Sequence, residues 1–260
     1  MRFFTRLVLF LMKIILPFYY IGAKKANGMA CLSFKNGVTF EARVKTQDAM
    51  VLNEVWKHSC YERAPVAFGD VVVDIGAHIG GYTVLVAKKG ATVFSYEPEL
   101  GNYSLLTRNV VANNCQSVKL YNRAVSSGKG TVILNVDIKG TGLHSLYQST
   151  SACKKTEVAS VSLHDVITMN HLKKIQVLKI DTEGAEYDIL LPARSSDLAK
   201  IQTVILEYHD YFNHSHNKNE LEVLLRNNGF TVQDISPWYQ QFLMKSGILL
   251  ATRSRNVQSG

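Results

Sequence analysis

The sequence holds no Cys-x-x-Cys pair, no Gly-x-Gly-x-x-Gly fingerprint, no internal repeat and no low-complexity tract. Each absence removes a class of function. Cys31, Cys60, Cys115 and Cys153 lack the spacing of a zinc site or a dense disulfide framework, so they read as reduced packing thiols of a cytoplasmic protein. A residue composition that is 47% hydrophobic and 19% charged excludes a disordered chain. Lysine and arginine outnumber aspartate and glutamate by 29 to 21, which gives a net charge of +8 and favours anionic partners. The basic pairs are scattered, however, and no patch of interleaved aromatic and basic residues is legible, so nucleic acid is not the expected partner.

An uninterrupted apolar run of spanning length is also missing. Residues Met1 to Ile21 are almost wholly apolar, yet Arg2, Arg6 and Lys13 break them up and fall on one narrow stripe of a helix. A spanning helix needs about 20 apolar residues, and a cleaved signal needs a small-residue site after it. Two readings remain open for a helix over 1–22: it lies in a membrane interface through residues 1–21, or it docks on the body of the protein or on a second subunit. The expected organisation is that helix, a hairpin and helix over 23–66, a ligand-binding α/β domain over 67–253, and a tail over 254–260.

What is present centres on Val71 to Gly81, VVVDIGAHIGG. Three successive valines suit a strand buried on both faces, as in a parallel sheet. Asp74, Gly76 and Gly80 then form Asp-x-Gly-x-x-x-Gly, which lets the chain turn sharply beside a ligand. A dinucleotide fingerprint requires bare backbone at the third place counted from Gly76, for the pyrophosphate. Here Ala77 is followed by His78 at that place, and Asp74 would repel a phosphate but accept from an ammonium group. The pattern therefore favours S-adenosylmethionine, whose amino-acid end carries an amine and a sulfonium. A plain strand-to-helix turn is the alternative.

The following segments extend the pattern. Thr92 to Tyr96 delivers Glu97 about 20 residues past Gly76, the spacing of an acid that binds ribose hydroxyls. Val118 to Tyr121 ends at Asn122, Arg123 and Ala124, where an adenine edge or a mere turn belongs. Gln176 to Ile180 runs into Asp181-Thr182-Glu183-Gly184-Ala185-Glu186, read either as a ligand-edge acidic turn or as a capped helix start. Thr203 to Leu206 ends in Glu207-Tyr208-His209-Asp210 at the same edge. Ahead of these, Gly22 to Gly28 reads as a linker, Asn36-Gly37 as a hairpin turn, and Asp48 as a helix cap. Asp137 to Lys155 reads as a substrate-recognition loop or a surface hairpin.

Together, VVVDIGAHIGGYT, SYEP, NVVAN (Asn109 to Asn113), NRAVS, LKIDTEGAEYDIL and VILEYH resemble the FkbM-like family of class I S-adenosylmethionine-dependent methyltransferases. The resemblance implies an α/β fold: a doubly wound, Rossmann-like, seven-stranded methyltransferase sheet with one antiparallel strand and helices on both faces. It implies O-methylation of a hydroxyl on a sugar, glycan or secondary metabolite. Asp74, Gly76, Ala77, His78, Gly80, Glu97, Asn122, Ala124 and Asp181 would hold the cofactor. Asp181 would be the first choice for base or orienting group, ahead of His209 and Glu207, with Glu183 beside the acceptor. A Mg²⁺ ion held by Asp181, Glu207 and Asp210 ranks below metal-free catalysis. The rival functions are an RNA ribose methyltransferase and a non-catalytic nucleotide-binding or membrane-associated protein of the same fold.

Overall fold

The computed structural model describes residues 20–34, 36–56, 61–137, 153–210, 216–236 and 246–253. The expected N-terminal helix up to residue 19, most of the loop after Asp137, the Pro237-Trp238-Tyr239 stretch and the tail lie outside the described residues.

Strand β4 (Val71–Ile75) lies in the interior of a seven-stranded sheet. Its valines alternate between two cores: Val72 packs with Val86, Val93 and Val177 on one face, and Val73 with Phe94, Leu178 and Leu206 on the other. Helices α2 (Gly81–Lys88) and α3 (Leu100–Ala112) follow β4 and β5 (Thr92–Tyr96) respectively. β6 (Val118–Tyr121) ends that wing, and β10 (Ile175–Ile180) and β11 (Ile201–His209) lie on the other side of β4. All these neighbours pair in parallel. The closing strands are β12 (Thr231–Asp234), preceded by helix α7 (Lys218–Asn227), and β13 (Ser246–Thr252). β13 runs antiparallel to both β11 and β12, which makes it the one reversed strand. The sheet order is β12-β13-β11-β10-β4-β5-β6. The order in which strands are added reverses between β4 and β10, so the crevice outside their carboxyl ends is where an open α/β sheet binds its ligand.

A small sheet of β1 (Tyr20–Ala26), β2 (Met29–Phe34) and β3 (Thr39–Arg43) precedes helix α1 (Asp48–Trp56). The stretch expected to be a linker is thus a strand, and the last residues of the expected N-terminal helix belong to it. The missed signal is Asn27-Gly28, whose φ values of 48° and 76° give the left-handed pair that a two-residue hairpin needs. Leu32, Phe34 and Phe40 pack against Leu105, Leu106 and Ile79, so this sheet leans on α3 and on the glycine loop. Asp48 is not the cap of α1: its N–H donates to Thr46 Oγ1 at 3.2 Å, and its carboxylate turns back to Arg43.

A third sheet, β7 (Ala124–Val125), β8 (Gly130–Asp137) and β9 (Cys153–Val161), projects beyond β6. β9 stops at Val161, short of the expected Leu163, because Ser162 and Asp165 form a reciprocal capping box that starts α4 (Leu163–Met169). Among the described residues, no helix is long and apolar enough to cross a membrane.

Candidate active site

The glycine loop leaves β4 at Gly76, where φ is +79° and a Cβ would fall 1.7 Å from the carbonyl oxygen of Asp181. Gly80, at φ +93°, has Leu106 Cδ1 2.8 Å from where its Cβ would be. Both glycines therefore answer first to close packing inside the protein. The N–H groups of Gly76 and Ala77 donate to the carbonyl of Tyr96 at 3.0 and 3.1 Å, which ties the loop to the end of β5. His78 follows in the left-handed region with φ 51°, and its N–H donates to Glu97 Oε2 at 2.8 Å. Glu97 is buried, and its Oε1 accepts from the Glu99 N–H at 3.0 Å and from Asn102 Nδ2 at 3.3 Å. Burial pushes its carboxyl up, against the pull of His78 and these donors. Asn122 lies at the rim, where its Nδ2 clamps the carbonyls of Glu97 and Pro98 at 2.9 and 3.0 Å, while Ala124 is buried in β7.

Asp74 is fully buried and already partnered. Thr83 Oγ1 donates to its Oδ2 at 2.6 Å, and Lys179 Nζ lies 3.2 Å from its Oδ1. The ammonium group expected at Asp74 is thus one of the protein's own. Lys179 Nζ also donates to the Gly76 carbonyl at 2.7 Å and lies 3.6 Å from Asp181 Oδ2. Burial lowers the affinity of this lysine for its proton, but Asp74 and Asp181 outweigh that and raise it. One ammonium group therefore links the glycine loop to the carboxylate across the crevice.

Asp181 stands at the end of β10, with the Tyr61 hydroxyl donating to its Oδ2 at 3.2 Å. The contacts from Tyr61 and Lys179 both fall on Oδ2. Past Asp181 the chain does not enter a helix at once. Glu183 and Gly184 take φ values of 53° and 113°, and α5 (Glu186–Leu190) begins only afterwards with no side-chain cap. The capped-helix reading of this turn is thereby corrected, and the glycine is explained by its positive φ.

Glu186 is fully buried and holds the turn from within. Its Oε2 accepts from the Gly184 N–H at 2.9 Å and from Thr182 Oγ1 at 3.3 Å; its Oε1 accepts from the His209 N–H at 2.6 Å and lies 3.2 Å from His209 Nδ1. On its other side His209 Nε2 lies 3.5 Å from Glu183 Oε2 and 3.7 Å from Glu207 Oε1. Burial would lower the histidine, but Glu183, Glu186 and Glu207 overcome it and hold the ring well above the ordinary range. These neighbours favour the protonated ring, a form that cannot accept a further proton as a base. Burial and then Asp181 push Glu207 well above the carboxylate range, and burial with Asp181 and Glu186 pushes Glu183 up to about 7. Glu54 on α1 is exposed by surface area, yet desolvation, Asp181 and Glu183 push it up to about 7.

One ligand atom each from Asp181, Glu207 and His209 lies within 4.8 Å of the others, a grouping that could hold a metal ion. Asp210, the third member of the expected trio, lies outside this grouping, and its carboxylate takes a hydrogen bond from the Tyr187 hydroxyl.

The structure thus gathers Asp74, Gly76, His78 and Glu97 on one side of the crevice and Asp181, Glu183, Glu207 and His209 on the other. Sequence reasoning missed Lys179, Tyr61, Glu54 and the role of Glu186. Lys179 had a signal, being the one charged residue within the buried apolar run Ile175–Ile180. Tyr61 and Glu54 come from the N-terminal section by tertiary packing and had none.

Residues 74–232 match the family model described as the methyltransferase FkbM domain. The chain is 28% identical to 31-O-demethyl-FK506 methyltransferase FkbM of Streptomyces tacrolimicus, over 77% of this chain and 88% of that one. It is 24% identical to methyltransferase sdnD of Sordaria araneosa, over 77% and 89% respectively. A shorter match, 28% identical over 54% of this chain and 56% of the relative, is to hexuronic acid methyltransferase AglP of Haloferax volcanii. The match covers the glycine loop, Glu97 and both carboxylate-bearing strand ends, and on it the chain belongs to the FkbM family of S-adenosylmethionine-dependent methyltransferases.

Proposed function

We propose that the protein methylates a hydroxyl group of a sugar, glycan or secondary metabolite. The observation that carries this reading is Asp181: a carboxylate at the crevice, anchored through Oδ2 by Tyr61 and Lys179. Among the described residues both of these contacts fall on Oδ2, which leaves Oδ1 to accept from an incoming hydroxyl. The relatives named for FK506 and for hexuronic acid support an oxygen acceptor.

The donor set fits S-adenosylmethionine. A fixed carboxylate, Glu97, faces the glycine loop for the ribose, and Glu54, Glu183 and Glu207 share the crevice as carboxyls that hold their protons to higher pH, whose charged forms a cationic ligand would favour. When bound, S-adenosylmethionine supplies a methyl group activated by positive sulfur. The chain's own work is to align the acceptor hydroxyl and take up its proton at Asp181, while Tyr61 and Lys179 hold that carboxylate in place. Incubating fractionated cell extract with isotope-labelled donor, then finding a labelled O-methyl product by mass spectrometry, tests the reading. Labelling of RNA alone would replace it, and tight NADH binding without donor binding would end it.

A metal-assisted version has one observation behind it, the Asp181, Glu207 and His209 grouping. It would require His209 to give up its proton, so we rank it second. Turnover that survives EDTA removes it; loss that Mg²⁺ restores would promote it. We also propose that residues 1–21 attach the enzyme to a cytoplasmic membrane surface. Flotation with liposomes that is unchanged by deleting them would refute this.

A further inference from the structure

The donor pocket depends on residues that precede the matched family region. Arg43, at the end of β3, donates through Nε and Nη2 to the two oxygens of Asp48, both at 2.9 Å, and through its backbone N–H at 2.8 Å. Asp48 is fully buried, and its Oδ1 lies 3.4 Å from Nε2 of His78 in the glycine loop. The His78 N–H reaches Glu97 Oε2, Glu97 Oε1 accepts from Asn102, and Asn102 Oδ1 accepts from Arg43 Nη2 at 2.5 Å. The contacts close a ring of five residues from five separate segments of the chain. Arg43 and Asp48 touch no expected ligand position themselves; they act through His78 and Glu97.

The N-terminal sheet is held in the register this ring needs. Among the described residues no strand lies beside the outer edge of β3, and side chains meet it instead. Asn113 exchanges two hydrogen bonds with the backbone of Thr39 at 3.1 and 2.7 Å, and Asn109 does the same with Glu41 at 2.7 and 3.1 Å. Asp48 takes the next N–H on that edge, from Arg43. Asn109 Nδ2 also donates to the Ile79 carbonyl at 2.8 Å, joining the same edge to the glycine loop. This accounts for the two asparagines of the NVVAN motif, which have no place in the chemistry. A slip of one residue would turn Arg43 away from Asp48.

We propose that Arg43 and Asp48 are positioning residues of the donor pocket: the N-terminal sheet and α1 fix the His78–Glu97 contact and so complete the cofactor site. This rests on the reading of Glu97 as the ribose ligand. Isothermal titration of the full-length protein with S-adenosylhomocysteine tests it, with thermal unfolding of each variant alongside. Asp48→Asn should weaken binding by about ten- to a hundredfold, the worth of a hydrogen-bonded charge, and Arg43→Lys by less. Phe40→Leu, a packing change in the same sheet that leaves the ring intact, should lower the melting temperature and keep affinity within about twofold. In Asp48→Asn/Glu97→Gln the two losses should fail to add, because the residues act through one contact. Wild-type affinity in Asp48→Asn, additive losses, or a Phe40→Leu protein that loses affinity in step with stability would each overturn the proposal. No binding by the wild type would instead defeat the donor reading beneath it.

Discussion

At the β5 end of the crevice one acid, Glu97, receives three N–H donors, from His78, Glu99 and Asn102. At the β10 and β11 ends, Asp181, Glu183 and Glu207 crowd one another around one histidine and one lysine. The first is a finished site, whose groups are oriented before any ligand arrives. The second is under electrostatic tension, and three of its carboxyls relieve that tension by holding protons to higher pH. Recognition of a constant ligand tolerates rigidity, whereas an acceptor that brings a proton to transfer needs groups whose protonation can change.

The largest expected effect breaks the join between the two sides. Gly76→Ala would place a Cβ 1.7 Å from the Asp181 carbonyl, so β4 and β10 could not both keep their ends. The outcome is little or no folded protein, read by circular dichroism and expression yield. Next, Glu186→Gln strips the acidic side of its internal staple and leaves His209 without one buried partner, at a cost of about 3 kcal/mol by chemical denaturation. Third, Glu97→Gln should weaken S-adenosylhomocysteine binding by about tenfold or more by titration calorimetry, with a smaller change in stability.

The smallest effect is a pH dependence confined to the acidic side. Glu183 and Glu54 titrate near 7 in the folded chain and near the ordinary glutamate value when unfolded. Between those values the folded state binds more protons, so stability is higher at the acid end of the window and falls as pH rises through about 7. His209, raised by its carboxylates, contributes in the same sense: its stabilisation is complete below the ordinary histidine pKa and is lost above the raised one. The melting temperature of the ligand-free protein should decline from pH 5 to 7.5, and Glu183→Gln should flatten the decline. A flat wild-type profile would remove the contrast between the two sides.

The two sides also differed in how far they could be read in advance. The strand valines, the glycine spacing and Glu97 are local signals, and they placed β4, its loop and the acid of β5 correctly in space. The acids of the 181–186 turn were equally visible, but their arrangement was not, since Glu183 and Gly184 adopt positive φ and delay the helix. Glu186, read as a favourable charge near a helix end, is instead the buried link to His209, a contact across 23 residues that no spacing encodes. His209 offered itself as a base until three carboxylates were found around it. Asn27-Gly28 shows the opposite failure: a local signal was present and was passed over as linker.

Asp181 is where the account can be tested most directly. If it orients the acceptor and takes its proton, Asp181→Asn should lower turnover at least about a hundredfold while S-adenosylhomocysteine affinity stays within about threefold of wild type. Equal losses of turnover and donor affinity would make Asp181 a cofactor ligand, and undiminished turnover would contradict the assignment altogether.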